Sequence, residues 1–180
     1  MGQYYLAIIL GEKDLSKKEI IRIFMDPHNF NNGAKLTEHS YINNNYVSSF
    51  EYLLTPEGMF YKSRVVWAGD YADHEESQDN NLYQIVTNEI NENKRYVCPF
   101  KDTKEYKYII NHTKKEYVDK KNKIFHPLPL LTAEGNGRGG GDYHSKNKEL
   151  VGKWSRDVIS VEKEKPEEYT ELICEFSENY

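Results

Sequence analysis

The apolar residues of this chain occur in short runs, so the sequence limits the fold to short strands and helices. Residues 3–10, 19–25 and 59–67 are rich in β-branched and aromatic side chains, and each run ends near a glycine or an Asp-Pro pair. This composition, with these breaks, predicts three strands. None of the runs approaches the roughly 20 apolar residues of a membrane helix, so we expect no membrane span.

Two segments have the spacing of a helix. Segment 46–54 places apolar residues at i, i+1, i+4, i+7 and i+8, after asparagines that can cap its start and before a Thr-Pro-Glu-Gly stop. Segment 82–90 has apolar residues at i, i+3, i+4 and i+8, which gives a second helical face. A helix over 16–24 competes with the second strand, because Ser16 can cap it and Glu19 follows three residues later. Between these two, we predict the strand.

The rest of the chain completes a sheet. Residues 105–121 alternate apolar and polar side chains around an Asn-His-Thr-Lys-Lys turn, which is typical of a β-hairpin. Segments 154–164 and 168–176 have the composition of two closing antiparallel strands. We therefore predict one α+β domain over residues 1–180, a single domain with a mostly antiparallel sheet and about two helices packed on one side. Region 79–123 is predicted to be an insertion or a hairpin excursion.

Charge and cysteine content narrow the function classes. The formal net charge is −5, which disfavours binding to a phosphate backbone, so we expect no nucleic-acid partner. The cationic run 114–123 is interpreted as a solvated hairpin tip. Cys98 and Cys174 are too few for a disulfide framework, and the N-terminus lacks the pattern of a signal peptide. We expect a cytoplasmic protein, located in the host cytoplasm or the virion if it is viral.

The stretch 132–145 holds five of the 11 glycines. Gly135, Gly137 and Gly140 match G-x-G-x-x-G, but the dinucleotide fingerprint needs a strand before it and an apolar helix after it. Two prolines precede this stretch and charged residues follow it, so the context excludes a Rossmann site. The surrounding segment 126–152 has no regular pattern, and a loop of this length in a compact domain is usually functional or disordered.

The composition of the glycine stretch favours the binding of an anion. Consecutive glycines allow several backbone N–H groups to converge, and Arg138 can add a bidentate contact to phosphate or carboxylate. Asp142 and His144 follow at its exit, where either can act as a general base. The same glycines also fit a tight turn with Arg138 in solvent, and this alternative stays open. The predicted ligand-binding residues of the stretch are Gly135, Gly137, Arg138, Gly139, Gly140 and Gly141.

Two further polar segments lie next to predicted elements. Glu38, His39 and Ser40 precede the first helix, and segment 67–74 ends the third strand with Asp70, Asp73 and His74. The first group is equally consistent with a position at the surface, and Asp70 is equally consistent with a role in a turn. We predict that both segments share one pocket with the glycine stretch, where Glu38 contacts the ligand. The candidate catalytic residues are Asp70, Asp142, His144 and His39. The remaining histidines lack zinc-ligand spacing, and no metal site is predicted.

Four segments together resemble a known family. The sequences MGQYY, GAKLTEHSY, VVWAGDYAD and LLTAEGNGRGGGDYHS, the last followed by VGKWSRD, are similar to a widespread group of small uncharacterised proteins of bacteria and viruses. The chain departs from that pattern in its 79–123 region, and in WSRD where WAGD is expected. The resemblance implies no catalytic residue. It implies that the glycine stretch belongs to a shared scaffold.

Two functions follow as hypotheses. In the first, the protein binds a phosphate-bearing small molecule such as a nucleotide at the glycine-rich loop, with hydrolysis by one of the candidate bases as an extension. In the second, it is a non-enzymatic protein–protein interaction factor, either a host-directed viral factor or a virion component. The sequence identifies no cofactor.

Overall fold

The computed structural model describes residues 3–136 and 143–177, and within these ranges the strands form one sheet. The strands are β1 (Tyr5–Leu10), β2 (Ile21–Met25), β3 (Ser63–Gly69), β4 (Tyr108–Asn111), β5 (Glu116–Asp119), β6 (Ala133–Glu134), β7 (Val158–Glu162) and β8 (Thr170–Glu171). Their order in the sheet is β2-β1-β3-β7-β4-β5-β8, and β6 pairs with β3 beside this path. All pairs are antiparallel except β3 with β6 and β5 with β8.

The helices in the described ranges lie on both faces of the sheet. The α-helices are α1 (Leu36–His39), α2 (Asn45–Leu53), α3 (Leu82–Thr87) and α4 (Pro127–Leu131), and the 3-10 helices are Pro27–Phe30, Glu89–Lys94 and Lys148–Leu150. Helices α1, α2 and α4 share a core with Ala7, Ile9 and Trp67. Helix α3 packs on the opposite face, against Leu6 and Ile8. None of the described helices is long and apolar enough to cross a membrane.

The predicted α+β class with a mostly antiparallel sheet is confirmed, and the helices are more numerous than predicted. All six residues of β1 are buried, so both faces of this strand need a cover. Helix α3 supplies the second cover, and the helices are therefore divided between the two faces rather than gathered on one side. Helix α2 and the strand at β2 form where the sequence predicts them.

Helix α4 was not predicted, because its sequence PLPLL contains two prolines. Pro127 and Pro129 occupy the first and third helical positions, where a missing N–H costs no intrahelical hydrogen bond. The side chain of His126 accepts a hydrogen bond from the N–H of Leu128 and caps the helix. Part of the stretch predicted to be irregular is therefore helical.

Strand β3 brings the start of the glycine stretch to the sheet. Trp67 pairs with Ala133 and Ala68 with Glu134 in the parallel β3–β6 ladder. A Cβ atom at Gly69 would lie 2.6 Å from the carbonyl oxygen of Glu134, so this close approach requires glycine. Gly135, which follows β6, thus lies beside the end of β3.

Candidate ligand-binding clefts

A cleft of about 610 Å³ lies where β3 and β6 end, and we name it the glycine-loop cleft. Its walls come from the turn after β3, from the start of the glycine stretch and from the segment before β7. The lining residues are Ala72, Asp73, His74, Glu75, Ala133, Glu134, Gly135, Glu149, Val151, Gly152, Lys153, Ser155 and Arg156. Two of the three polar segments singled out in the sequence therefore meet here, through residues 72–75 and Gly135.

Arg156 joins two walls of the glycine-loop cleft. Its Nη1 and Nη2 lie 2.8 and 2.7 Å from the two carboxylate oxygens of Glu75, a bidentate pair. Its Nε and Nη2 donate to Glu134 at 2.6 and 2.8 Å. Burial alone would lower the pKa of Arg156, but the hydrogen bonds to Glu134 and Glu75 raise it. The hydroxyl of Ser155 also donates to Glu134. The guanidinium is therefore fixed and charged.

The lining of the glycine-loop cleft is acidic. It contains four carboxylates against Lys153 and Arg156, a formal charge of −2 with His74 neutral. Lys153 is also paired outside the cleft, with its Nζ 3.0 Å from Glu116. The described walls alone therefore do not form an anion site, and they suit hydroxyl or amine groups that donate to carboxylates.

Glu38 and Asp70 lie outside the glycine-loop cleft. The Glu38 carboxylate accepts the N–H of Lys35 at 3.0 Å and closes the first turn of α1. The Asp70 carboxylate accepts the N–H of Tyr4 at 3.0 Å, while its own N–H donates to the Tyr4 carbonyl at 2.9 Å. Both side chains therefore support the local backbone.

His39 is buried in the core, with no exposed surface. Its Nε2 accepts from Trp67 Nε1–H at 2.9 Å, and its Nδ1 lies 2.9 Å from the carbonyl oxygen of Gly33, to which it donates. The ring is thus neutral and both nitrogens are occupied. His144 is exposed and does not line the cleft. The other candidate residues, Gly137, Arg138, Gly139, Gly140, Gly141 and Asp142, lie outside the described residues.

A second cleft, of about 560 Å³, lies between α2 and the β4–β5 hairpin, and we name it the lysine cleft. It is lined by Ile42, Asn43, Ser48, Glu51, Thr103, Lys104, Lys107, Tyr108, Asp119, Lys120, Lys121 and His126. Three groups surround the buried Glu51 carboxylate. The hydroxyl of Thr103 donates to it at 2.7 Å, Lys120 Nζ lies at 2.8 Å, and His126 Nε2 lies at 2.9 Å.

The Glu51 cluster is ionised in spite of its burial. Burial would raise the pKa of Glu51, but the adjacent His126 and Lys120 lower it to about 2. Burial lowers the pKa of His126. Because His126 Nδ1 accepts the N–H of Leu128 at 3.2 Å, the proton of the neutral ring is on Nε2, facing Glu51.

Sequence reasoning missed the residues of the lysine cleft. One signal was present: Glu51 lies four residues after Val47 and three before Leu54, so a carboxylate interrupts the apolar face of α2. A buried carboxylate requires partners, but their positions at 103, 120 and 126 follow no periodic pattern. The same holds for Arg156, whose partners are 81 and 22 residues away.

No protein-family model, curated protein or solved structure matches the chain. The resemblance found in four sequence segments therefore stays a prediction.

Proposed function

We propose that the protein binds a phosphate-bearing small molecule, a nucleotide being the class that fits best, at the glycine-rich loop. One observation supports this above all: Gly135 and the turn 72–75 line the same cleft. Its volume of about 610 Å³ is in the range of small-molecule sites, roughly 300–1,000 Å³. Gly135, which lines the cleft, is the first glycine of the glycine stretch.

The charge of the described walls indicates where each end of such a ligand would bind. Carboxylates accept hydrogen bonds from sugar hydroxyls and base amines but repel phosphate. Asp73 is exposed, and its carboxylate has no hydrogen-bond partner among the described residues. We therefore assign the sugar and base to the wall of Asp73 and Glu149. The phosphate belongs at the glycine stretch with Arg138, a role that the sequence alone supports.

The proposal is limited to binding. Of the four candidate bases, Asp70, His39 and His144 do not line the cleft, and Asp142 lies outside the described residues. A general base must be within hydrogen-bond reach of the reacting group, directly or through one water. The described residues therefore support no hydrolytic step.

Thermal unfolding with a panel of nucleoside phosphates, dinucleotides and cyclic nucleotides tests this proposal. A ligand at about 100 times its Kd adds about 2.7 kcal/mol of stability, which raises the Tm by roughly 5–10 °C for a chain of this size. We expect such a shift for the wild type, and at least tenfold weaker binding for Arg138→Ala and for Asp73→Asn. Lys165→Ala, at an exposed position away from the cleft, is the control. If no member of the panel stabilises the wild type, the proposal is wrong.

A protein–protein interaction factor is the second candidate. Glu38 and Asp70 lie away from the cleft, and Met59, Val97 and Phe100 leave 71%, 58% and 55% of their surface exposed. Tyr96 links these segments, with its hydroxyl 3.9 Å from the sulfur of Met59. In this case no nucleotide shifts the Tm, and Phe100→Ser rather than Arg138→Ala weakens the protein's association with its partner.

A further inference from the structure

The lysine cleft is positively charged on a negatively charged protein. Its lining has four lysines, Lys104, Lys107, Lys120 and Lys121, and two carboxylates, Glu51 and Asp119, so its formal charge is +2 with His126 neutral. The whole chain has a formal charge of −5. Local potential rather than net charge decides which small ions collect in a cleft, so this cleft attracts anions.

Three of the four lysines are available to a ligand. Lys104, Lys107 and Lys121 are exposed, and none of them has a carboxylate within 4.0 Å among the described residues. A further acid beside the cleft is Asp102, whose carboxylate accepts the backbone N–H of Lys104 at 2.9 Å. Including Asp102 still leaves a surplus of one positive charge. These three lysines therefore carry positive charges that no carboxylate of the described residues pairs with.

The floor of the lysine cleft offers an unused hydroxyl. Ser48 in α2 is only 3% exposed, it lines the cleft, and its hydroxyl has no hydrogen-bond partner among the described residues. Because Ser48 lines the cleft, its hydroxyl is accessible there to a water or a ligand. A hydroxyl can donate to an oxyanion that the lysines hold.

The Glu51 cluster fixes the walls around this hydroxyl. Its carboxylate ties α2 to Thr103 and to Lys120 on the hairpin, and His126 holds the start of α4 against it. Lys120 Nζ also lies 3.4 Å from the Thr103 carbonyl. Breaking such a buried cluster is costly, so the cleft is held in shape without a ligand. A preformed site loses little conformational freedom on binding.

We propose that the lysine cleft binds a small anion with two or more negative charges, which the three free lysines contact at the rim and Ser48 at the floor. The charged groups are phosphates or carboxylates, since both accept hydrogen bonds from ammonium and hydroxyl donors. The cleft volume of about 560 Å³ fits a small molecule, and the net charge of the whole chain opposes a long polyanion. This site is separate from the glycine-loop cleft and does not depend on the function proposed there.

Calorimetric titration with pyrophosphate and with citrate, at an ionic strength of about 20 mM, tests the proposal. The cleft variant is Lys104→Gln with Lys107→Gln and Lys121→Gln. The matched control is Lys18→Gln with Lys148→Gln and Lys165→Gln, which removes the same charge from exposed lysines outside the cleft. We expect saturable binding to the wild type and the control, and at least tenfold weaker binding to the cleft variant. Ser48→Ala should weaken it two- to tenfold.

The two probes separate the chemical sources. Binding of pyrophosphate alone identifies a phosphate site, and binding of citrate alone identifies a carboxylate site. The proposal is overturned by no saturable binding of either probe, by equal losses in both triple variants, or by a preference for a single-stranded oligonucleotide. The cleft variant should keep any nucleotide-induced shift in Tm that the wild type shows, because none of its three positions lines the glycine-loop cleft, so failure at one cleft is distinguishable from failure at the other.

Discussion

At the scale of single residues, two histidines with equal standing in the sequence have opposite environments. His39 is fully buried between Trp67 and Gly33, whereas His144 is exposed. Residue type and neighbouring residues did not distinguish them, because Trp67, which donates to His39 Nε2, lies 28 residues further along the chain. The environment of His39 indicates a structural role.

Replacing His39 tests that role. In His39→Ala, Trp67 Nε1–H and the Gly33 carbonyl lose their partner and a cavity remains, which should lower the free energy of unfolding by about 3–4 kcal/mol. His144→Ala, at an exposed position, should stay within about 0.5 kcal/mol of the wild type. Urea unfolding followed by tryptophan fluorescence measures both. A His39→Ala protein as stable as the wild type would contradict the structural role.

At the scale of elements, the sequence predicted those that have a local pattern. The apolar run of β1, the helical face of α2 and the β4–β5 hairpin each lie within a predicted segment. The short β6 was missed, because two residues have no periodicity and the strand exists only through its pairing with β3. That pairing forms the glycine-loop cleft, so periodic patterns could not predict the position of the cleft.

One cap connects α3 to the turn that lines the glycine-loop cleft. The Asn81 side chain accepts the N–H of Gln84 at 2.9 Å and donates to the carbonyls of Asp70 and Ala72, both at 3.0 Å. Asn81 is 2% exposed, so the loss of these bonds is not replaced by water. The cap therefore fixes the helix and the cleft wall together.

Asn81→Ala should lower the free energy of unfolding by about 2–3 kcal/mol, since a cap and two buried carbonyl contacts are lost. Asn80→Ala is the matched control, because its side chain is exposed and makes no hydrogen bond among the described residues. Denaturant unfolding of both variants measures the difference. Hydrogen exchange at residues 72–75 should also be faster in Asn81→Ala alone. Equal stability of the two variants would show that the cap contributes nothing.

At the level of the whole molecule, a chain with a net charge of −5 contains two clefts of opposite formal charge. The glycine-loop cleft has a formal charge of −2 and the lysine cleft +2. Composition excluded a general polyanion binder but could not locate these local charges, because the lysines of the second cleft come from two separate strand ends. Run 114–123, interpreted as a solvated hairpin tip, contributes Lys120 and Lys121 to that cleft.

The same charges determine how stability depends on pH. Glu51 has a pKa of about 2 in the folded chain against an ordinary value of 4.5, so its stabilisation is complete above pH 4.5 and is lost as the pH falls towards 2. Burial lowers the pKa of His112 and His126 from 6.5, so their protonation also favours unfolding as the pH falls below 6.5. Stability should therefore decrease on acidification, beginning near pH 6.5 and more steeply below 4.5.

Stability should also decrease at high pH. Burial raises the pKa of the Cys174 thiol from 9.0 to about 11, and it raises the pKa of Tyr46 well above 10.0. The unfolded chain ionises these groups first, so their contribution is complete below pH 9 and is lost as the pH rises through the folded values. Urea unfolding from pH 2.5 to 11 should show a plateau of stability between about pH 6.5 and 9.

Glu51→Gln isolates the acid part of this profile. At pH 7 the variant should lose about 3–5 kcal/mol, because Lys120 keeps its buried charge without a partner. Below pH 4.5 its stability should fall less steeply than that of the wild type, by up to about 1.4 kcal/mol per pH unit, since one proton fewer is taken up on unfolding. Glu167→Gln, at an exposed position, should reproduce the wild-type slope. If Glu51→Gln and the wild type have parallel profiles below pH 4.5, the carboxylate is not held ionised by its cluster, and acid unfolding must start at other groups.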